Sequence, residues 1–218
     1  MEIVVFGANG GVGRHAVRLA ADAGHQVLAT ARQVPDVLVG TGPRIGGSGP
    51  AQARAVDVRD FDGVREAVRG ADAVLWCVGV TKRSGPGVGR EGVTHLARAA
   101  AETGLSRVIT VSGAGITLPG DVKGTGARLL SGLTRRLAGD LYADKVAEHE
   151  VLAASELSWT EVRGPRLVER EGTGRWLLTD DAPGLSAKPV AKADVAAAML
   201  HLAGTNEWDR RSPFILAG

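Results

Sequence analysis

Behind the apolar run IVVF at 3–6, the chain places four glycines within seven residues, in the pattern Gly7-x-x-Gly10-Gly11-x-Gly13. The stretch VGRHAVRLAADAG follows at 12–24. It sets Val12, Ala16, Leu19, Ala20 and Ala23 on one helical face, with Gly24 as its stop. Few folds send a buried strand through glycines straight into a helix. Gly7 permits the tight turn, Gly10 and Gly11 leave no Cβ in the path of a pyrophosphate, and Gly13 lets the helix pack close to the sheet. Backbone N–H groups at the helix start then face an anion, aided by the helix dipole. A plain strand-to-helix turn is the alternative, and the strand before with the helix after favours a bound dinucleotide.

The same alternation continues along the chain. Strands are predicted at 25–32, 53–58, 72–79, 106–113, 158–164 and 212–218, and helices at 60–70, 89–104, 143–155 and 190–204. Strands that are apolar throughout, alternating with helices, predict an α/β fold: a Rossmann-type, doubly wound, mainly parallel sheet with helices on both faces. At 218 residues this is one domain, spanning 1–218. The Gly/Pro-rich stretch 33–52 reads as mostly loop. Segments 114–142 and 166–189 resist assignment. Both leave carboxyl ends of strands, where open α/β sheets bind ligands, so they are the expected substrate side.

Net charge is +2 with scattered arginines, which argues against nucleic acid and membrane surfaces as partners. The sole cysteine, Cys77, lies in the strand-like AVLWCVG and reads as a core residue. It offers no disulfide and no metal cluster. No stretch approaches the roughly 20 apolar residues of a membrane helix, and no signal segment opens the chain. A cytoplasmic monomer or homodimer with a small-molecule partner is expected.

The end of the second strand indicates which dinucleotide. An acid there would accept from the ribose 2′-OH of NAD(H). The chain has Thr30, Ala31 and Arg32 instead, and an arginine pairs with a 2′-phosphate. NADP(H) is therefore expected, with Arg14 in reach to assist.

GANGGVG resembles the TGAxGxxG of the atypical and extended short-chain dehydrogenase/reductases, with Phe6 in place of the common threonine. The resemblance implies a cofactor-binding set: Gly7, Asn9, Gly10, Gly11 and Val12 in the loop, Asp57 and Val58 against the adenine, and Cys77, Val78 and Gly79 beside the ribose. VITVSGAG at 108–115 resembles the family's fifth strand and puts Ser112 beside the nicotinamide. In such reductases a Tyr and a Lys supply the proton. Here Tyr142 and Lys145 stand in a Tyr-x-x-Lys spacing, one residue short of the usual one. A packing role for Tyr142 stays open beside the catalytic one. KVAEHEVLAASELSWTEVRGPRL at 145–167 is similar to the NmrA-like, NAD(P)H-binding branch and to flavin reductases of the biliverdin reductase B type. That similarity implies Lys145 on the nicotinamide ribose and Gly164–Pro165 near the carboxamide. Asp194 reads as a structural charge at a helix N-terminus.

Ser112, Tyr142 and Lys145 are thus the catalytic candidates. The expected activity is NADPH-dependent hydride transfer to a planar acceptor, of flavin, quinone or tetrapyrrole type. The alternative is an NADP(H)-binding sensor of the NmrA-like kind that performs no turnover.

Overall fold

A computed structural model describes residues 1–34, 51–81, 84–184 and 186–218. The loop expected at 33–52 falls largely outside them. The glycine loop sits between β1 (Glu2–Phe6) and α1 (Gly11–Asp22), and β2 (Gln26–Ala31) follows. Then come β3 (Ala51–Ala55), α2 (Phe61–Val68), β4 (Ala73–Trp76), α3 (Val88–Thr103) and β5 (Arg107–Gly113). The second half contains α4 (Thr125–Leu137), α5 (Gly139–Ala154), β6 (Ser158–Gly164), β7 (Leu167–Val168) and β8 (Trp176–Thr179). It closes with β9 (Val190–Ala191), α6 (Lys192–Ala203) and β10 (Phe214–Ala217).

The main sheet runs β3-β2-β1-β4-β5-β6-β10-β8. Every pairing is parallel except β8 on β10, an antiparallel edge that periodicity does not predict. β7 and β9 form a separate parallel pair. Order reverses between β1 and β4, the switch point where such sheets bind ligands.

Successive residues of β1 serve opposite faces. Ile3 and Val5 join α1 and α6 in one core, through Ala16, Val17, Val195 and Met199. Val4 and Phe6 join α2 and α3 in the other, through Val64, Val68, Val93 and Leu96. Two covered faces explain why the strand reads as apolar without alternation. On α1 the inner face uses Val17 and Ala21; Ala23, assigned to that face from sequence, lies beyond the helix and is exposed. Gly24 (φ +81°) does end α1, and Asp60 caps α2 by accepting from the Asp62 N–H.

Arg107 ties the second half together. Its buried guanidinium donates to the Leu202 carbonyl at the end of α6 and to the hydroxyls of Ser158 and Thr160 on β6. Asp194 is buried and accepts from the Thr173 and Gly174 N–H groups. It therefore pins the β7–β8 loop as well as standing in the first turn of α6.

Candidate cofactor and acceptor site

The glycine loop is shaped by close approaches. Gly7 has φ +77°, and a Cβ there would lie 2.6 Å from the Cys77 carbonyl oxygen. A Cβ on Gly13 would collide with the Gly7 carbonyl, so α1 can lie this near the turn only with glycine there. The loop is held by Ala8 N–H to Thr30 O (3.0 Å) and Gly10 N–H to Gly7 O (2.9 Å). Arg14 N–H is the first to bond back into the helix, to Gly10 O. No side chain caps α1 and no acid stands in its first turn, so its leading N–H groups face outward as an anion cradle.

Gly10, the N-cap of α1, borders a cavity of about 590 Å³ at the carboxyl ends of β1, β2 and β4. That size suits a cofactor-scale ligand. Gly7, Asn9 and Gly10 form its floor, Arg32 stands at the end of β2, and Val56 with Val58 closes one side. Cys77, Val78 and Gly79 form the opposite wall. A Cβ on Gly79 would meet nothing within 4 Å. Burial pushes the Cys77 thiol up to about 12, only partly offset by Lys145, so it remains a protonated core group.

Gly11, Val12 and Asp57 do not line the cavity. Gly11 begins α1 beside the Lys192 side chain. The Val12 side chain belongs to the core, leaving only its backbone N–H for a ligand. Asp57 is exposed and accepts from the Arg59 N–H (3.0 Å), a local turn, while Asp60 does the capping.

Lys145 reaches the cavity wall from α5. Its buried ammonium donates to the Val78 carbonyl (3.1 Å) and to both Glu148 oxygens (2.8 and 2.9 Å). Burial raises the Glu148 carboxyl to about 7, against the pull of Lys145. On the same helix Asp144 accepts from the Gly89 and Arg90 N–H groups (2.9 and 3.1 Å), capping α3 from outside.

Ser112, near the end of β5, is in register with Arg163 of β6. Its Oγ is buried and has no partner among the described residues. Tyr142 stands apart from Lys145 in its bonding. α5 begins at Gly139, earlier than its periodicity predicts, and Tyr142 in the first turn accepts from the Thr117 N–H (3.2 Å). It borders a second, smaller cleft beside α4. Gly164 ends β6 and its carbonyl accepts from Ala114 N–H (2.7 Å). Neither Gly164 nor Pro165 lines the large cavity.

Sequence reasoning missed several groups. Lys192 overhangs Gly11 and pairs with Glu169 (3.0 Å), which also binds His15 (2.8 Å). Arg14, expected to help with a 2′-phosphate, lies 4.0 Å from the same carboxylate. Asp121 accepts two 2.8 Å bonds from the Arg163 guanidinium beneath the β5–α4 loop. Nothing in the linear spacing marks these pairs, since their members lie far apart in sequence.

A nucleotide-sized cavity, a glycine cradle and a reversal of strand order together define a dinucleotide-binding α/β protein. The profile of a family described as NAD(P)H-binding matches residues 7–206, and the chain belongs to that family. Uncharacterized proteins of Mycobacterium tuberculosis and Mycobacterium bovis are 34% identical over 114 residues, which is 51% of this chain and 12% of their length. The chain thus corresponds to a small part of those curated relatives. Among solved structures, the oxidoreductase ylbE of Lactococcus lactis superposes with a TM-score of 0.77 at 23% identity, covering 100% of this chain and 91% of that one. ChuY, described as an anaerobillin reductase of Escherichia coli O157:H7, gives 0.74 at 22% identity, covering 100% and 97%. A short-chain dehydrogenase/reductase of Veillonella parvula, in complex with NADP, gives 0.72 at 18%, covering 98% and 93%. These likenesses show a shared Rossmann-type fold.

Proposed function

We propose that the protein is an NADPH-dependent oxidoreductase that reduces a small planar acceptor of flavin, quinone or tetrapyrrole type. The observation that carries this reading is the uncapped α1 N-terminus opening on a cavity whose β2 side ends in Arg32. Residues 1–218 act as one cofactor-binding domain, with 114–142 and 166–189 on the acceptor side.

When bound, the reduced nicotinamide supplies the hydride. The N–H groups of Gly11, Val12 and Gly13 hold the diphosphate, and Arg32 selects the 2′-phosphate by charge-assisted hydrogen bonds. Val58 and the 77–79 wall enclose the adenosine end. Asp57, whose Oδ1 accepts from the Arg59 N–H, has a second carboxylate oxygen to offer the adenine amino group. Lys145, fixed by Glu148 and the Val78 carbonyl, holds the nicotinamide ribose, with the Gly164–Pro165 turn beyond it. The buried, unpartnered hydroxyl of Ser112 orients the acceptor once the acceptor is seated against β5, and the chain's part in the reaction is chiefly positioning. That ChuY is described as an anaerobillin reductase supports the tetrapyrrole option.

A sensor reading is favoured by one observation: the Tyr142 hydroxyl is engaged by Thr117 and the Lys145 ammonium by Glu148, so no Tyr–Lys proton relay is assembled. Dissociation constants for NADPH and NADH, with NADPH oxidation against FMN, quinones and biliverdin, separate these readings. We expect NADPH preference, lost in Arg32→Ala, and turnover that falls in Ser112→Ala. Tight NADPH binding without turnover across the panel supports the sensor. Equal affinity for both cofactors overturns the NADPH assignment.

A further inference from the structure

The second cleft, of about 240 Å³, lies between the 117–123 loop, α4 and the first turn of α5. Its charged lining is one-sided. Lys123, Arg128 and Arg135 face it, against the single carboxylate of Asp121. Both oxygens of that carboxylate are already engaged by Arg163, and Leu118 N–H adds a further bond. Burial pushes the Asp121 carboxyl up, but Arg163, the Leu118 amide and Lys123 hold it below its usual range, so it stays an anion committed to the loop.

Lys123 is buried and spends its donors on the Ala114 and Ile116 carbonyls and the Ser131 hydroxyl. It contributes field more than hydrogen bonds. Arg128 and Arg135 are different. Seven residues apart, they share one face of α4, both are exposed, and neither has a hydrogen-bond or ion-pair partner among the described residues. The Tyr142 oxygen accepts from Thr117, leaving its own O–H free to donate. Two guanidinium forks and a phenol around a cleft with excess positive charge match a planar or tetrahedral oxyanion.

The cleft and the cofactor cavity share no lining residue, but α5 connects them. Tyr142 and Lys145 are about one turn apart on α5, a rise of roughly 4.5 Å, and Lys145 bonds the cavity wall at Val78. A ligand reaching out of the cavity past Lys145 meets Tyr142 and the arginines next. The volume suits a head group and is too small for a three-ring acceptor.

We propose that this cleft binds the phosphate or carboxylate of the acceptor, so that the substrates are planar molecules bearing an oxyanion. The link to an acceptor rests on the reductase reading above; the anion site itself does not.

Tyr142 is the only tyrosine in the chain, so its ring resonances report on the cleft directly. Titrating the whole protein with inorganic phosphate at constant ionic strength is expected to shift them saturably. The Arg128→Gln/Arg135→Gln variant should lose that response while its NADPH affinity is unchanged. No saturable shift, or the same shift in the variant, overturns the site. Two pairs then identify the anion: FMN against riboflavin, and biliverdin against its dimethyl ester. The charged member of the matching pair should bind about tenfold more tightly, as one charge-assisted contact gives. In the variant the preference should shrink below about threefold. Equal affinities within both pairs overturn the link to the acceptor. Binding of this pattern without any turnover overturns the reductase reading and leaves the anion site standing.

Discussion

A methyl group separates Gly13 from alanine, and its Cβ would be driven into the Gly7 carbonyl, a backbone atom that cannot swing aside. Gly13→Ala is expected to lower stability by about 2 kcal/mol and to abolish dinucleotide binding, read by thermal unfolding and NADPH fluorescence. Glu148 makes a different prediction, through protons. Its carboxyl ionises near 4.5 in the unfolded chain and is raised to about 7 by burial. Between those values the folded protein keeps a proton that the unfolded chain has lost, so stability falls as pH rises across the interval. Wild type should therefore lose about 2 kcal/mol relative to Glu148→Gln between pH 5 and 8, measured by denaturant unfolding at several pH values. At this scale the glycine turn is legible in sequence because its close approaches are local to one motif. Glu148 leaves no mark in the spacing, because its raised carboxyl comes from burial.

α3 has Gly87 at its N-cap and no side-chain cap of its own; the Asp144 carboxylate from α5 takes that place. Asp144→Ala should cost about 1–2 kcal/mol and loosen α3 against α5, seen as faster amide exchange at Gly89 and Arg90. The strands and helices of the first half follow their sequence pattern to within a few residues, because α1, α2 and α3 each bury one apolar face in a core and the central strands β1 and β4 bury both. α4 shows why the pattern fails elsewhere. Leu129, Leu133 and Leu137 point outward at 64%, 50% and 74% exposure, while Ala127 and Ser131 face inward. A helix that turns its apolar stripe to solvent and its hydroxyl to a buried lysine gives no core-facing period to read. β8 is hidden for a related reason. It is a four-residue edge strand with Leu177 exposed, and only its pairing with β10 defines it.

Across the whole molecule, the parallel sheet and its switch point follow from strand–helix alternation, while the acceptor side depends on contacts between distant segments. Cofactor binding to the assembled fold adds stability by mass action. NADPH at about 100 times its dissociation constant should add about 2.7 kcal/mol, raising the midpoint by roughly 5–11 °C for a chain of this size. NADH at the same concentration should raise it less. The contact that crosses from the β7–β8 segment to the glycine loop has a further consequence. Glu169 is exposed, and hydrogen bonds from His15 and Lys192 hold its carboxyl down to about 2. A negative group therefore already occupies the company of Lys192 and Arg14 at the mouth of the loop. A diphosphate arriving there exchanges partners with a resident anion rather than meeting bare cations. Its capture should show little long-range electrostatic steering. The association rate of NADPH should change only weakly with ionic strength, and Glu169→Gln should make it both faster and steeply salt-dependent.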